Sequence, residues 1–309
     1  MKAMVCGVIV AAAFAFAGNA LAECTPSAFG ADDQIGNANL ITPESVKAAA
    51  ALIKQGKTKH LGIVVDRTTP AFPPRSLSVT VLQPGFQWGN VPFPNGMVYN
   101  DDIFTGWLGI GSQIDGLGHI GHNGEFYNCN DGKAFAKTTG LEKLGIENIP
   151  PLVARGVVLD MAAHAGVDNL AAGQVFTVED VKAVEQKQGT PIQAGDVVLF
   201  HTGWTKHVLP TDPKAWGGGE PGIAEEVATY LAEKKVIAVG ADTWGLDPIP
   251  PHKEGRPFQG HITLIKENGI YILEVMDTAA LADEGVHEFM FVPEHSPPRA
   301  SAASAPTWC

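Results

Sequence analysis

The sequence of 309 residues carries no basic stripe: Lys and Arg number 21 against 33 Asp and Glu, for a formal net charge of −12. That balance offers little to nucleic acid or an anionic membrane, since both reward clustered Lys and Arg, and neither is expected as a partner. There is no internal repeat and no long linker. Cysteine is scarce, with four residues in all, and their spacing matches no zinc motif. The one long apolar run, Met4 to Ala17, is short of the roughly 20 residues that a membrane span needs.

That run has a different use. Lys2 precedes it and Ala20-Leu21-Ala22 follows it, the three parts of a secretory signal peptide. Cleavage is expected after Ala22, leaving a secreted or periplasmic protein. Glu23, ahead of Cys24, is too large for a lipidation signal. Cys6 departs with the leader, so Cys24, Cys129 and Cys309 remain in a compartment that permits disulfides. An odd number allows at most one intrachain bridge, and tying Cys24 to Cys309 would secure the two ends. All three are read as structural.

Residues 23–292 read as one domain. Thr42-Pro43 starts a helix carrying Val46, Ala49, Leu52 and Ile53 as far as Gly56. Alternation of Leu77, Val79 and Val81 within Arg75–Gln83 predicts a half-buried strand. From Gly85 to Asn148 the chain is rich in Gly, Asn and aromatics, as functional loops are. Four short apolar runs, Gly156–Asp160, Asp196–Phe200, Val236–Gly240 and Gly269–Glu274, are of the buried-strand type. Helices capped by Thr177, spanning Glu225–Glu233, and capped by Asp277 fall between and after them. The alternation implies an α/β domain with a mixed sheet. The Pro-, Ala- and Ser-rich tail, 293–309, wraps the surface or is disordered.

Polar residues close several of these strands: Asp160, His201, Asp242 and Glu274. Ligands of open α/β sheets sit beyond the carboxyl ends of the strands. The segment from Ser112 to His119 is the densest in chemistry. Gln113 and Asp115 point to one side of an extended segment, and His119 follows a Gly116-Leu117-Gly118 turn that can fold it back toward them. A carboxylate with an imidazole suits a metal ligand set or an acid/base pair. His122, in a Gly-His-Asn-Gly setting, reads first as a turn residue.

The span from Gly109 to His119 resembles the signature of the cyclase family, His-x-Gly-Thr-His-x-Asp-x-Pro-x-His. The family comprises metal-dependent hydrolases such as bacterial kynurenine formamidase and isatin hydrolase. Colinear likenesses run from Asp32 to about Val292 and include Arg155–Asp160, Gly195–Gly203, Gly240–Thr243, Gly260–Ile265 and Gly269–Glu274. The resemblance implies a swivelling β/β/α fold in a single domain, and a dimer or tetramer. It makes His119 the catalytic acid/base, and Asp115, His261 and Glu274 metal ligands. Two of the family's histidines are replaced, the first by Gly109 and the second by Gln113, as in a variant branch. The ligand set Gln113, Asp115, His261 and Glu274 then implies one divalent ion, Zn or Mn, in place of two. His201 stands where the family commonly has Arg, and either touches substrate or caps its strand.

The expected activity is hydrolysis of an amide, imide or lactone bond in a small aromatic substrate. Trp88, Trp107 and Trp244 would wall the pocket, flat rings against a flat ligand. Two other classes stay open: a binding protein without catalysis, and a lyase or dehydratase using the same acid/base pair. Asp115, His119, His261 and Glu274 together speak against the first.

Overall fold

The computed structural model describes residues 24–82, 93–293 and 303–304. The leader with its cleavage site, Trp88, Cys309 and most of the tail lie outside the described residues. Among those described, no helix is long and apolar enough to cross a membrane.

A seven-stranded mixed sheet organises the chain, in the order 288–291, 154–160, 197–201, 238–241, 271–274, 113–115, 303–304. The strands Ala154–Asp160, Val197–His201, Ala238–Ala241 and Tyr271–Glu274 are parallel to their neighbours. Glu288–Phe291 flanks them antiparallel on one side and Gln113–Asp115 on the other. This is the α/β domain with a mixed sheet that the sequence implies. Val157, Val158, Leu159, Val197, Val198, Leu199 and Phe200 have no exposed surface. Each such side chain, removed from water, contributes about 1.5–3 kcal/mol of apolar burial. Continuous apolar runs are what strands covered on both faces require.

Helix Val178–Gln188 begins in a capping box between Thr177 and Asp180 and ends at Gly189, whose φ of 67° closes it left-handed. Helix Glu225–Glu233 buries Val227, Ala228 and Leu231. The short helix Ala279–Asp283 has Thr278 as its N-cap residue, while Asp277 accepts from Ala279 N at 3.2 Å. The first helix, capped by Thr42, runs only from Pro43 to Ala50. The expected extension to Gly56 fails because its apolar stripe finds no cover: Ile53 is 57% exposed.

Two further expectations are corrected. Leu77–Leu82 is a strand, but it pairs with Asp101–Gly106 in a hairpin apart from the main sheet, and only Leu77 is even partly buried. The alternation of Leu77, Val79 and Val81 therefore does not mark a face packed on this domain's core. Cys24 bonds to Cys129, and not to Cys309. That bond staples the N-terminal segment to the loop around Tyr127, whose hydroxyl lies 2.7 Å from both Ser27 Oγ and Asp33 Oδ2. From the tail, Ala303–Ser304 adds a short strand antiparallel to Gln113–Asp115.

Candidate metal and active site

Because four strands run parallel, their carboxyl ends share one edge of the sheet, and Gln113–Asp115, running the other way, brings its first residue to that edge. Register makes Gln113 the direct partner of Glu274 and places Asp115 opposite Ile272. Gln113, Asp115 and Glu274 thus face the same side, and all three are buried. Gln113 Nε2 donates to Glu274 Oε2. Ser112, just before, donates to Val275 O at 2.5 Å and accepts from Ile63 N at 3.0 Å, which pins the strand in place.

His261 arrives from the short helical turn Gln259–His261, continued by a π-helical stretch Ile262–Glu267. Such irregular turns occur frequently at functional sites. Asp247 holds this turn: its carboxylate accepts from Gly260 N at 2.8 Å, His261 N at 3.1 Å and His261 Nδ1 at 2.6 Å. Gly260 must lack a side chain, since a Cβ there would lie 2.8 and 2.9 Å from the two Asp247 oxygens. With its proton on Nδ1, the ring turns Nε2 toward Glu274 Oε1 at 3.3 Å and Asp115 Oδ2 at 3.8 Å.

Asp115, His261 and Glu274 offer ligand atoms that all lie within 4.8 Å of one another. Both Asp115 oxygens, Gln113 Oε1 and Glu220 Oε1 are buried without a hydrogen-bond partner. Unpaired buried carboxylates are costly, and a divalent cation removes that cost. The donor set also fits: two carboxylates, a histidine nitrogen fixed by a carboxylate behind it, and a free amide oxygen. The electrostatics agree. Burial and then Glu274 push the Asp115 carboxyl up to about 6, against His119, His261 and Arg75. Burial alone would lower His261, but its hydrogen bonds to Asp247 and Glu274 lift it to about 10.

His119 stands at the opening, its side chain 30% exposed and its Nε2 3.7 Å from Asp115 Oδ2. Its backbone N–H closes the turn onto Gly116 O at 3.0 Å. His122 belongs to a tight turn with Asn123 and Gly124 at positive φ, as its setting suggests. Trp244 lies beside the site, stacked on Phe72 at 4.9 Å, with Phe258 edge-on to both Trp244 and His261. Trp107 follows the exposed hairpin and is 48% exposed. His201 joins a different network. It is buried, with Nδ1 2.8 Å from Thr278 Oγ1 and 3.5 Å from Asp242 Oδ2. Asp242 Oδ1 in turn accepts from Thr202, and Asp160 caps the helix after its strand through Ala163 N.

Three site residues carry no warning in the sequence. Asp247 sits in an ordinary Leu-Asp-Pro turn. Glu220 is buried, accepts from Trp244 N through Oε2, and is pushed well above the usual range by burial and by Glu274. A Cβ on Gly245 would lie 3.1 Å from Glu220 Oε1 and 3.6 Å from Glu274 Oε1, so both carboxylates border one small space. Arg75 donates from Nη1 to Gly109 O at 2.7 Å and lies over the Trp244 ring, 5.5 Å from its centroid.

Residues 59–248 match the family model described as Cyclase. That span includes Gln113, Asp115 and His119 and stops short of His261 and Glu274. Among solved structures, the chain is similar to a novel cyclase at a TM-score of 0.81 and 28% identity, covering 90% of this chain and 94% of the other. An isatin hydrolase bound to the product analogue thioisatinate gives a TM-score of 0.61 at 18% identity, over 86% and 97% of the two chains. A predicted metal-dependent hydrolase from Bacillus stearothermophilus gives 0.52 at 19%, over 81% and 95%. At these last identities the likeness is one of fold. No curated protein matches the sequence.

Proposed function

The chain belongs to the cyclase family, and from that premise we propose that it is a metal-dependent hydrolase of an amide, imide or lactone bond in a small aromatic substrate. One observation carries the reading. Asp115 is fully buried with both oxygens unpartnered, beside a histidine whose ring Asp247 orients and a glutamate that Gln113 holds. An inert core does not retain such a carboxylate, because nothing in it offsets the desolvation.

Asp115, His261 and Glu274 would hold the ion, with Gln113 Oε1 as a further oxygen donor. When bound, Zn or Mn supplies Lewis acidity that polarises the carbonyl and makes water a stronger nucleophile near neutral pH. The protein's own part is proton handling and orientation. His119, at the open side and next to Asp115, takes the proton as water oxygen bonds to the carbonyl carbon. It returns that proton to the nitrogen or oxygen that leaves as the scissile bond breaks. Imidazole suits both transfers near neutral pH. Trp244, stacked on Phe72 and edge-on to Phe258, would offer apolar rings to an aromatic substrate, with Trp107 as a further candidate.

Replacing His119 by Ala is expected to lower kcat/KM by about 10²–10⁴ on a panel of formanilides, isatin-type imides and lactones, with metal affinity retained. An unchanged rate removes His119 from the chemistry. Running the panel in ¹⁸O-labelled water separates hydrolysis from a lyase or dehydratase reaction, since only hydrolysis places solvent oxygen in the product. Export after cleavage at Ala22 belongs to the same proposal and is supported by the Cys24–Cys129 bond, which oxidising compartments favour. Assembly into a homo-oligomer does too: Val79, Val81, Ile103 and Phe104 are each over 40% exposed on the Leu77–Leu82 hairpin. Apolar patches of this kind mark interfaces, and a lone two-stranded hairpin is marginal in water.

A further inference from the structure

Arg75 is the cation of this site that no hydrolytic step employs. Its guanidinium occupies the space that a side chain at position 109 would fill: a Cβ on Gly109 would lie 2.8 Å from Arg75 Nη1 and 3.2 Å from its central carbon. The same Cβ would lie 2.8 Å from Gln113 Oε1, so Arg75 borders the amide that orients Glu274. Trp244 lies beneath it. Despite this setting, Arg75 makes no ion pair with Asp115, Glu220 or Glu274, and its one hydrogen bond among the described residues goes to Gly109 O. A guanidinium that pairs with a buried carboxylate at contact distance frequently does so in bidentate fashion. Here the fork keeps most of its five donors for something else.

We propose that Arg75 is the anchor for a carboxylate on the substrate, so that the enzyme acts on carboxylate-bearing amides, imides or lactones. The inference rests on the hydrolase reading of the same site and adds the charge of its substrate. The geometry favours it: among the described residues the guanidinium has one hydrogen-bond acceptor and is paired with none of the buried carboxylates, so its remaining donors are open to an anion. A planar fork half-covered by an indole accepts a carboxylate in two parallel hydrogen bonds, and Lys in its place offers only a point charge. Arg75 is thus a specificity-determining residue rather than a participant in bond cleavage.

The test uses the full-length protein saturated with Zn or Mn. Calorimetry with benzoate, and with benzyl alcohol as the neutral probe, is run on wild type, Arg75→Ala and Arg75→Lys. Benzoate affinity is expected to fall at least about tenfold in Arg75→Ala, or about 1.4 kcal/mol, with Arg75→Lys intermediate and benzyl alcohol unaffected. In parallel, 2-formamidobenzoate and formanilide provide a substrate pair with and without a carboxylate. The ratio of their kcat/KM values should exceed one in wild type and collapse toward one in Arg75→Ala. Equal benzoate binding by wild type and both variants overturns the proposal, as does hydrolysis with no preference for the carboxylate. Failure to hydrolyse any substrate while the benzoate difference persists overturns the hydrolase reading instead and leaves the anion site standing. Circular dichroism melts on both variants exclude loss of fold as the cause.

Discussion

The group whose removal is most informative is Asp247, which stands behind His261 and offers no ligand atom of its own to the cluster. Its two oxygens serve three donors: Gly260 N on Oδ1, and His261 N and Nδ1 on Oδ2. Asp247→Asn keeps one acceptor. If the amide oxygen takes the Oδ2 position, the new NH₂ confronts Gly260 N–H; if it takes the Oδ1 position, His261 loses both its partners. Either way a buried N–H is left unsatisfied, at about 1–3 kcal/mol. In the second arrangement nothing fixes the ring through Nδ1, and Nε2 is no longer aimed at Asp115 and Glu274 to ligate an ion. Loss of the partner behind a ligating histidine typically weakens metal binding about 10–100-fold, or about 1.4–2.7 kcal/mol. Competition against a chromophoric chelator measures this directly, with Asp247→Ala as the stronger lesion and circular dichroism to confirm the fold. Gly260→Ala approaches the same contact from the other side, since its Cβ would push on both Asp247 oxygens. Metal affinity within twofold of wild type in folded Asp247→Asn and Asp247→Ala would refute the assignment of His261 as a ligand held by Asp247.

Asp115 gives a pH dependence of determined sign. In the metal-free protein its carboxyl is raised to about 6 from 3.8, so the folded state binds the proton more tightly than the unfolded chain. Between those values the unfolded chain is ionised first, and stability of the metal-free protein falls as pH rises through the window. A bound cation prefers the ionised form, so the difference in melting temperature between metal-loaded and metal-free protein should widen from about pH 4 to above pH 6; a narrowing difference contradicts it. Cys24 and Cys129 close a loop with a sequence separation of 105, for which the chain-entropy model gives about 5 kcal/mol. Cys24→Ser should therefore lower Tm by about 8 °C in differential scanning calorimetry, and an unaltered Tm counts against a formed bond. On the hairpin, Phe104→Lys places a charge where Phe104 is 54% exposed. It should convert the oligomer to monomer by light scattering, and wild-type protein that is already monomeric ends that proposal.

The regular half of the fold was legible because its signals are local. Val157 to Leu159 and Val197 to Phe200 announce buried strands by composition alone, and Thr177 with Asp180 announces a capped helix in four residues. The hairpin misled for the opposite reason. Its alternation of apolar residues is real, but whether a face is covered depends on what packs against it, and among the described residues nothing does. The site divides the same way. Asp115 and His119 lie in one short stretch, whereas Gln113 and Glu274 are 161 positions apart and meet only through sheet register. Glu220, Asp247 and Arg75 enter by tertiary contact, and no spacing rule reaches them.

Gly109 and Gln113 show what tertiary context adds to a motif. The resemblance sets them opposite two histidines of the family's signature, which reads as two metal ligands lost. In the folded chain the space beside Gly109 holds the Arg75 guanidinium, while Gln113 has become a donor that orients Glu274. A side chain at 109 and the Arg75 guanidinium exclude each other here, since a Cβ on Gly109 would lie 2.8 Å from Arg75 Nη1. Restoring His at 109 alone would drive a ring into Arg75 and Gln113 Oε1, so a second metal position cannot be rebuilt by that reversion unless Arg75 is removed with it. If Arg75 is the anion anchor, Arg75→Ala together with Gly109→His should lose the carboxylate preference that Gly109→His alone cannot be used to test.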